Sequence, residues 1–117
     1  MTSLIACLST GKGTWGHVSR IIEDEKWDKV FLITNEFGKE NFQQTKNTEL
    51  IIIDSNKGLK EVQQDIINQL KDKIEGEVAL NIVSGTGKEH MALLSALLKL
   101  GLGIRLIALT KDGVEEI

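Results

Sequence analysis

Five short apolar runs dominate the chain: SLIACLS from Ser3, KVFLIT from Lys29, ELIIID from Glu49, EVALNIV from Glu77 and IRLIAL from Ile104. Each is apolar at consecutive positions instead of alternating with polar ones, so an extended run must be covered on both faces. That is the pattern of parallel strands inside a layered α/β domain. The intervening segments supply the covering layers. Leu59, Val62, Ile66, Ile67, Leu70 and Ile74 recur at three-, four- and seven-residue spacings and mark one face of an amphipathic helix, with Gly76 placed to end it. Val18, Ile21 and Ile22 give a shorter helix after the first run, and Met91 to Leu100 a third after the fourth. Glu36 to Asn47 has no clean period and is expected to form a short helix or a loop. Past the fifth run, Asp112-Gly113 is a two-residue hairpin signal that turns the chain back into a sixth, antiparallel strand.

Alternating strands and helices joined by right-handed crossovers specify an α/β, doubly wound, mainly parallel sheet in the order 3-2-1-4-5-6 with a C-terminal hairpin strand. At 117 residues the chain is one domain, 1–117. In that order strands 1 and 4 are neighbours whose connections leave in opposite directions, and ligands of such sheets bind beyond the carboxyl ends at this switch point. The two strand ends carry STGKGTWG, Ser9 to Gly16, and SGTGKEH, Ser84 to His90, the most glycine-rich segments of the sequence.

Glycines let backbone N–H groups approach a ligand without a Cβ in the way, and the first turn of a following helix adds unpaired donors. Such loops suit phosphate. Lys12 and Lys88 put one cation in each, and Ser9, Thr10, Thr14, Ser84 and Thr86 add hydroxyls. The bland alternative is that the glycines only make tight strand-to-helix turns while the lysines point into water. Neither loop is a Walker loop, because Ile82 stands where its first glycine belongs and Glu89 follows the lysine. GKGTWG, Gly11 to Gly16, does match the G-x-G-x-x-G of dinucleotide sites, with Glu36 twenty residues beyond Gly16. That reading leaves the second glycine loop unexplained and leaves no room for a substrate domain.

His17 and His90 both open helices beside these loops and are candidates for proton transfer, against the alternatives of capping, packing or solvation. Asn81, polar in an apolar strand, is expected to be a structural support that must find partners. Cys7 lies inside an apolar run and reads as a small buried side chain, not a nucleophile or a metal ligand. No metal or cofactor is expected. A net charge of −3 argues against binding long nucleic acid, so an anionic ligand must be small and locally held. No apolar run approaches the length of a membrane span, and the N-terminus lacks a basic leader, so a cytoplasmic protein is expected. In MALLSALLKL, Met91 to Leu100, only Ser95 and Lys99 are polar, which points to a homodimer interface reaching Leu94 and Leu97, with a buried inner helix as the alternative.

The stretch ALNIVSGTGKEHMALLSALLKLGLGIRLIAL, residues 79–109, resembles the fourth-strand motif of CARF (CRISPR-associated Rossmann fold) domains. In that motif an apolar strand with asparagine leads through a hydroxyl- and glycine-rich turn ending in lysine to a Met-Ala helix and another strand. Lys88 aligns with the lysine. Gly87 stands where the family often has threonine, with Thr86 one position earlier. The first loop is similar to the family's other ligand-binding segment. The resemblance implies a Rossmann-like fold and a homodimer, formed through the Met91–Leu100 helix, whose paired crevices bind a cyclic oligoadenylate, the second messenger of type III CRISPR immunity. It implies ligand contacts from Gly11, Lys12, Gly13, Thr14, Ser84, Gly85, Thr86 and Gly87. A chain without a fused effector is then either a metal-independent ring nuclease or a small adaptor that only binds the ring. In the ring nuclease a ribose 2′-hydroxyl attacks the adjacent phosphate. Ser9 or Thr10 would orient that ribose, Lys88 and loop amides would stabilise the phosphate charge, and His17 or His90 would protonate the leaving group.

Overall fold

A computed structural model describes residues 2–8, 12–43 and 47–117. Among the described residues, six strands form one sheet: β1 (Ser3–Cys7), β2 (Val30–Thr34), β3 (Thr48–Ile52), β4 (Glu77–Asn81), β5 (Gly103–Thr110) and β6 (Gly113–Glu116). Their order is β3-β2-β1-β4-β5-β6, parallel except for the β5–β6 hairpin, as the apolar runs predict. Among the same described residues, four helices cover the sheet: α1 (Trp15–Asp24), preceded by a 3-10 turn at Lys12–Thr14, α2 (Glu36–Asn41), α3 (Leu59–Leu70) and α4 (Gly87–Lys99).

Side-chain alternation divides the core in two. Ile5, Cys7, Phe31, Ile33, Val78 and Leu80 point to one face, where Val62, Ile66 and Leu70 of α3 and Ala92, Leu93, Ala96 and Leu97 of α4 cover them. Leu4, Ala6, Leu8, Val30 and Leu32 point to the other, under Trp15, Val18 and Ile21 of α1. Phe37 and Phe42 close the end of that second layer against Trp15, with ring centroids at 5.9 and 5.6 Å. Glu36–Asn41 resolves as a helix because the Asn35 side chain accepts from Gly38 N at 3.0 Å and caps it.

Three sequence expectations change. The helix expected to run on to Gly76 stops at Leu70, because Lys71 is extended and Asp72 adopts a left-handed φ of 68°. Ile74 still packs on the core, but from an irregular segment, so its helical spacing was coincidental. The hairpin loop is Lys111-Asp112, since Thr110 pairs with Gly113, and Gly113 with φ 107° begins the returning strand. Leu97 is fully buried, so it belongs to the core and not to an interface. Among the described residues, no helix is long and apolar enough to cross a membrane.

Candidate functional site

The strand order makes β1 and β4 neighbours, with Ala6 opposite Asn81, while β1 connects onward to β2 on one side and β4 to β5 on the other. The switch point therefore exists, and the turn after β4 lies against the end of β1: a Cβ built on Gly85 would lie 3.3 Å from Cys7 Cβ. Of the expected site residues, Ser9, Thr10 and Gly11 lie outside the described residues, as does the side chain of Lys12. Gly13, Thr14 and Gly16 open α1, and Ser84 to His90 form the turn into α4.

That turn is built mostly from its own residues. Ser84 is buried and its carbonyl accepts from His90 Nε2 at 2.9 Å. Gly85 has φ 116°, and a Cβ there would come within 2.8 Å of His90 Nε2 and 3.3 Å of Glu89 Oε1. Its glycine is required by packing and backbone geometry. Thr86 caps α4 through a reciprocal pair: its hydroxyl accepts from Glu89 N at 3.1 Å, and its own N–H donates to Glu89 Oε1 at 2.8 Å. A Cβ on Gly87 would meet nothing within 4 Å, so the space in front of this residue is open. The same holds at Gly13 and Gly16.

The two helix starts differ electrostatically. At α4 the nearly buried Glu89 carboxylate already occupies the positive end of the helix. At α1, Thr14 makes no side-chain cap and the first turn carries no acid. The start of α1 thus opposes an approaching anion less than the start of α4 does.

Both histidines are engaged. His17 Nε2 lies 3.2 Å from Asn81 Nδ2 and 3.2 Å from Leu109 N, and both of these groups donate, so Nε2 is an unprotonated acceptor and the ring proton sits on Nδ1. Asn81 uses its other N–H on Ile107 O at 2.9 Å, and its Oδ1 accepts from Val83 N at 3.4 Å. Asn81 and His17 together pin α1 to the carboxyl ends of β4 and β5. His90 Nε2, facing a carbonyl, must carry a proton. Lys88 reaches away from its turn: Nζ donates to Ser55 O at 2.8 Å and also to Lys57 O, both in the β3–α3 loop. Burial, and secondarily the nearby Glu89 carboxylate, pushes the Cys7 thiol up to about 12, so it stays protonated at neutral pH.

No protein-family model matches the chain, and no curated protein does. Function must be read from the site itself. For a dinucleotide fingerprint the third glycine permits close helix–strand packing. Here Gly16 is exposed and faces open space, so it has no such role. Glu36 is exposed at the start of α2, with Lys39 Nζ 4.0 Å away.

Proposed function

We propose that the chain binds a cyclic oligoadenylate across a homodimer and cleaves the ring without a metal. The observation that carries this reading is the switch point between β1 and β4, where the glycine turn into α4 lies beside the end of β1 and open space stands at Gly13, Gly16 and Gly87. Phosphates would be received by the first-turn amides of α1 and the open backbone at Gly87. The resemblance of residues 79–109 to the CARF motif names the ligand class. The homodimer is supported by an apolar face that the fold leaves uncovered. Met91 and Leu98 of α4 are 59% and 67% exposed with half-buried Leu94 between them, and Leu106 of β5 is 41% exposed. Leu106 lies on the same sheet face as α4, since Ile104, two residues earlier, packs with the α3–α4 core.

A second reading, a sensor or adaptor that binds the ring without cleaving it, is favoured by one feature. His17 Nε2 is held by two donors, His90 Nε2 by a carbonyl and Lys88 Nζ by two more, so none of these three atoms is free for proton transfer or charge stabilisation as the site stands. Labelled cyclic tetra- and hexa-adenylate incubated with the protein in EDTA separates the readings. Linear product ending in a 2′,3′-cyclic phosphate supports cleavage, and an intact ring with saturable calorimetric binding supports the sensor. No binding of either ring, or a protein that sediments as a monomer at micromolar concentration, refutes the composite site.

A further inference from the structure

The loop that Lys88 holds has little else to hold it. Within Asp54–Gly58, Asn56 N donates to Asp54 Oδ1 at 3.0 Å and Lys57 N to Asp54 O at 3.1 Å, while Lys57 Nζ pairs with Asp65 of α3 at 3.3 Å. All of these are local to the loop and its own helix. Among the described residues, the two bonds from Lys88 are the only hydrogen bonds or ion pairs that tie the loop to an element other than its flanking β3 and α3. Asn56, Lys57 and Gly58 are exposed. The loop also forms one wall of a cleft of about 530 Å³, whose opposite wall is Asn35, Glu36 and Phe37 at the start of α2.

Two neutral carbonyls are modest acceptors for an ammonium group. A phosphate oxygen is a stronger one, because a bond between two ionised groups is shorter and markedly stronger than one to a neutral carbonyl. Lys88 lies in the first turn of α4, next to the open space before Gly87, so an anion entering that space meets a cation already committed elsewhere.

We propose that Lys88 is an exchangeable strap: in the free chain it holds the Asp54–Gly58 loop closed, and a phosphate bound at the Gly87 turn takes the ammonium and releases the loop. Occupancy of the switch point is thereby passed to the cleft between α2 and the β3–α3 loop, some distance along the same sheet edge. This rests on the ligand reading above and adds its regulation: the released loop is the surface through which the bound ring would be reported.

Hydrogen exchange by mass spectrometry on the full chain tests it, with peptides covering residues 54–60 compared with those of the α3 and α4 interiors. Lys88→Ala is expected to speed exchange in 54–60 by about tenfold or more and to leave both helix interiors unchanged. Saturating wild type with cyclic tetra- or hexa-adenylate, binding being verified by calorimetry, is expected to bring the loop to the level of the variant. The ring adds nothing further in Lys88→Ala. A purely structural lysine would not give the ligand-induced release in wild type, and that arm stands even if the variant folds poorly. Ring binding with unchanged or slower loop exchange overturns the strap while leaving the ligand reading intact. Wild-type exchange in Lys88→Ala also overturns it. Absence of ring binding overturns the ligand reading, and the exchange falls with it because Lys88 then has no competing anion.

Discussion

Replacing Gly85 with alanine separates what the second glycine turn does for the fold from what it offers a ligand. The new methyl group meets two penalties. At φ 116° an L-residue is strained by about 1 to 3 kcal/mol. The Cβ would also sit 2.8 Å from His90 Nε2 and 3.3 Å from Cys7 Cβ. The imidazole can retreat only by giving up its 2.9 Å bond to Ser84 O, and Cys7 is fixed in β1, so overpacking adds about 1 to 3 kcal/mol. With partial relaxation we expect a loss of about 2 to 4 kcal/mol, a fall in Tm on the order of 10 °C for a domain of this size. Urea unfolding followed by the fluorescence of Trp15 and Trp27 measures it, with an unchanged m-value as the check on two-state behaviour. Gly87→Ala is the internal control. Gly87 has no positive φ, and its Cβ meets nothing, so stability should hold or rise by about 0.4 to 1 kcal/mol. If Gly85→Ala unfolds within about 1 kcal/mol of wild type, the packing account of this turn is wrong.

Four further substitutions test the core and the exposed face of α4, the support of the site and the buried thiol. Leu97→Glu places an unpaired charge among fully buried side chains and should cost at least about 3 kcal/mol, whereas Leu98→Glu on the exposed face should leave urea stability within about 0.5 kcal/mol and turn the proposed dimer into a monomer. Equal destabilisation by the two would contradict the orientation of α4. Asn81→Ala strips donors from His17 Nε2 and from the Ile107 carbonyl, and a loss of about 1 to 3 kcal/mol in urea is expected; under about 0.5 kcal/mol, the asparagine is not the support described. The folded thiol of Cys7 keeps its proton up to about pH 12 while the unfolded thiol releases it near its ordinary value of 9.0. Its contribution is therefore complete below about pH 9 and declines toward pH 12, by at most about 1.4 kcal/mol per pH unit. The difference between wild type and Cys7→Ala should narrow over that window, and a constant difference would show that the thiol ionises alike in both states.

The sheet was legible because its signal is redundant: five continuous apolar runs leave few other ways to hide both faces, and chain order with crossover rules then sets the neighbours. Helix ends were less so. Leu70 and Ile74 share a spacing, but the end of α3 is decided by Lys71 and Asp72, whose backbone conformations no apolar period reports. At the site, position was legible and partnership was not. The capping box Thr86-Gly87-Lys88-Glu89 has its characteristic three-residue spacing from hydroxyl to carboxylate in the sequence, and it would have assigned Thr86 and Glu89 to the helix start. Nothing local links Lys88 to Ser55 and Lys57, over thirty residues away, or His17 to Leu109, because those bonds arise only when α1, β5 and the β3–α3 loop are brought to one end of the sheet.

The partnerships also change where the free energy of binding must come from. Lys88 is the obvious cation of its loop, yet the Glu89 carboxylate answers the helix charge beside it and two carbonyls hold its ammonium. An anion arriving at this turn must displace bonds before it gains one. At α1 no side-chain cap or first-turn acid stands in the way. The affinity of the site should therefore rest first on the α1 amides, with Lys88 contributing only the surplus of a phosphate contact over its loop contacts. If the ring binds as proposed and the strap is worth about 1.4 kcal/mol, the ring would bind about tenfold more weakly than to a chain whose Lys88 was already free. That difference would be the free energy that opens the loop, so on the proposed reading a tighter strap gives a weaker binder.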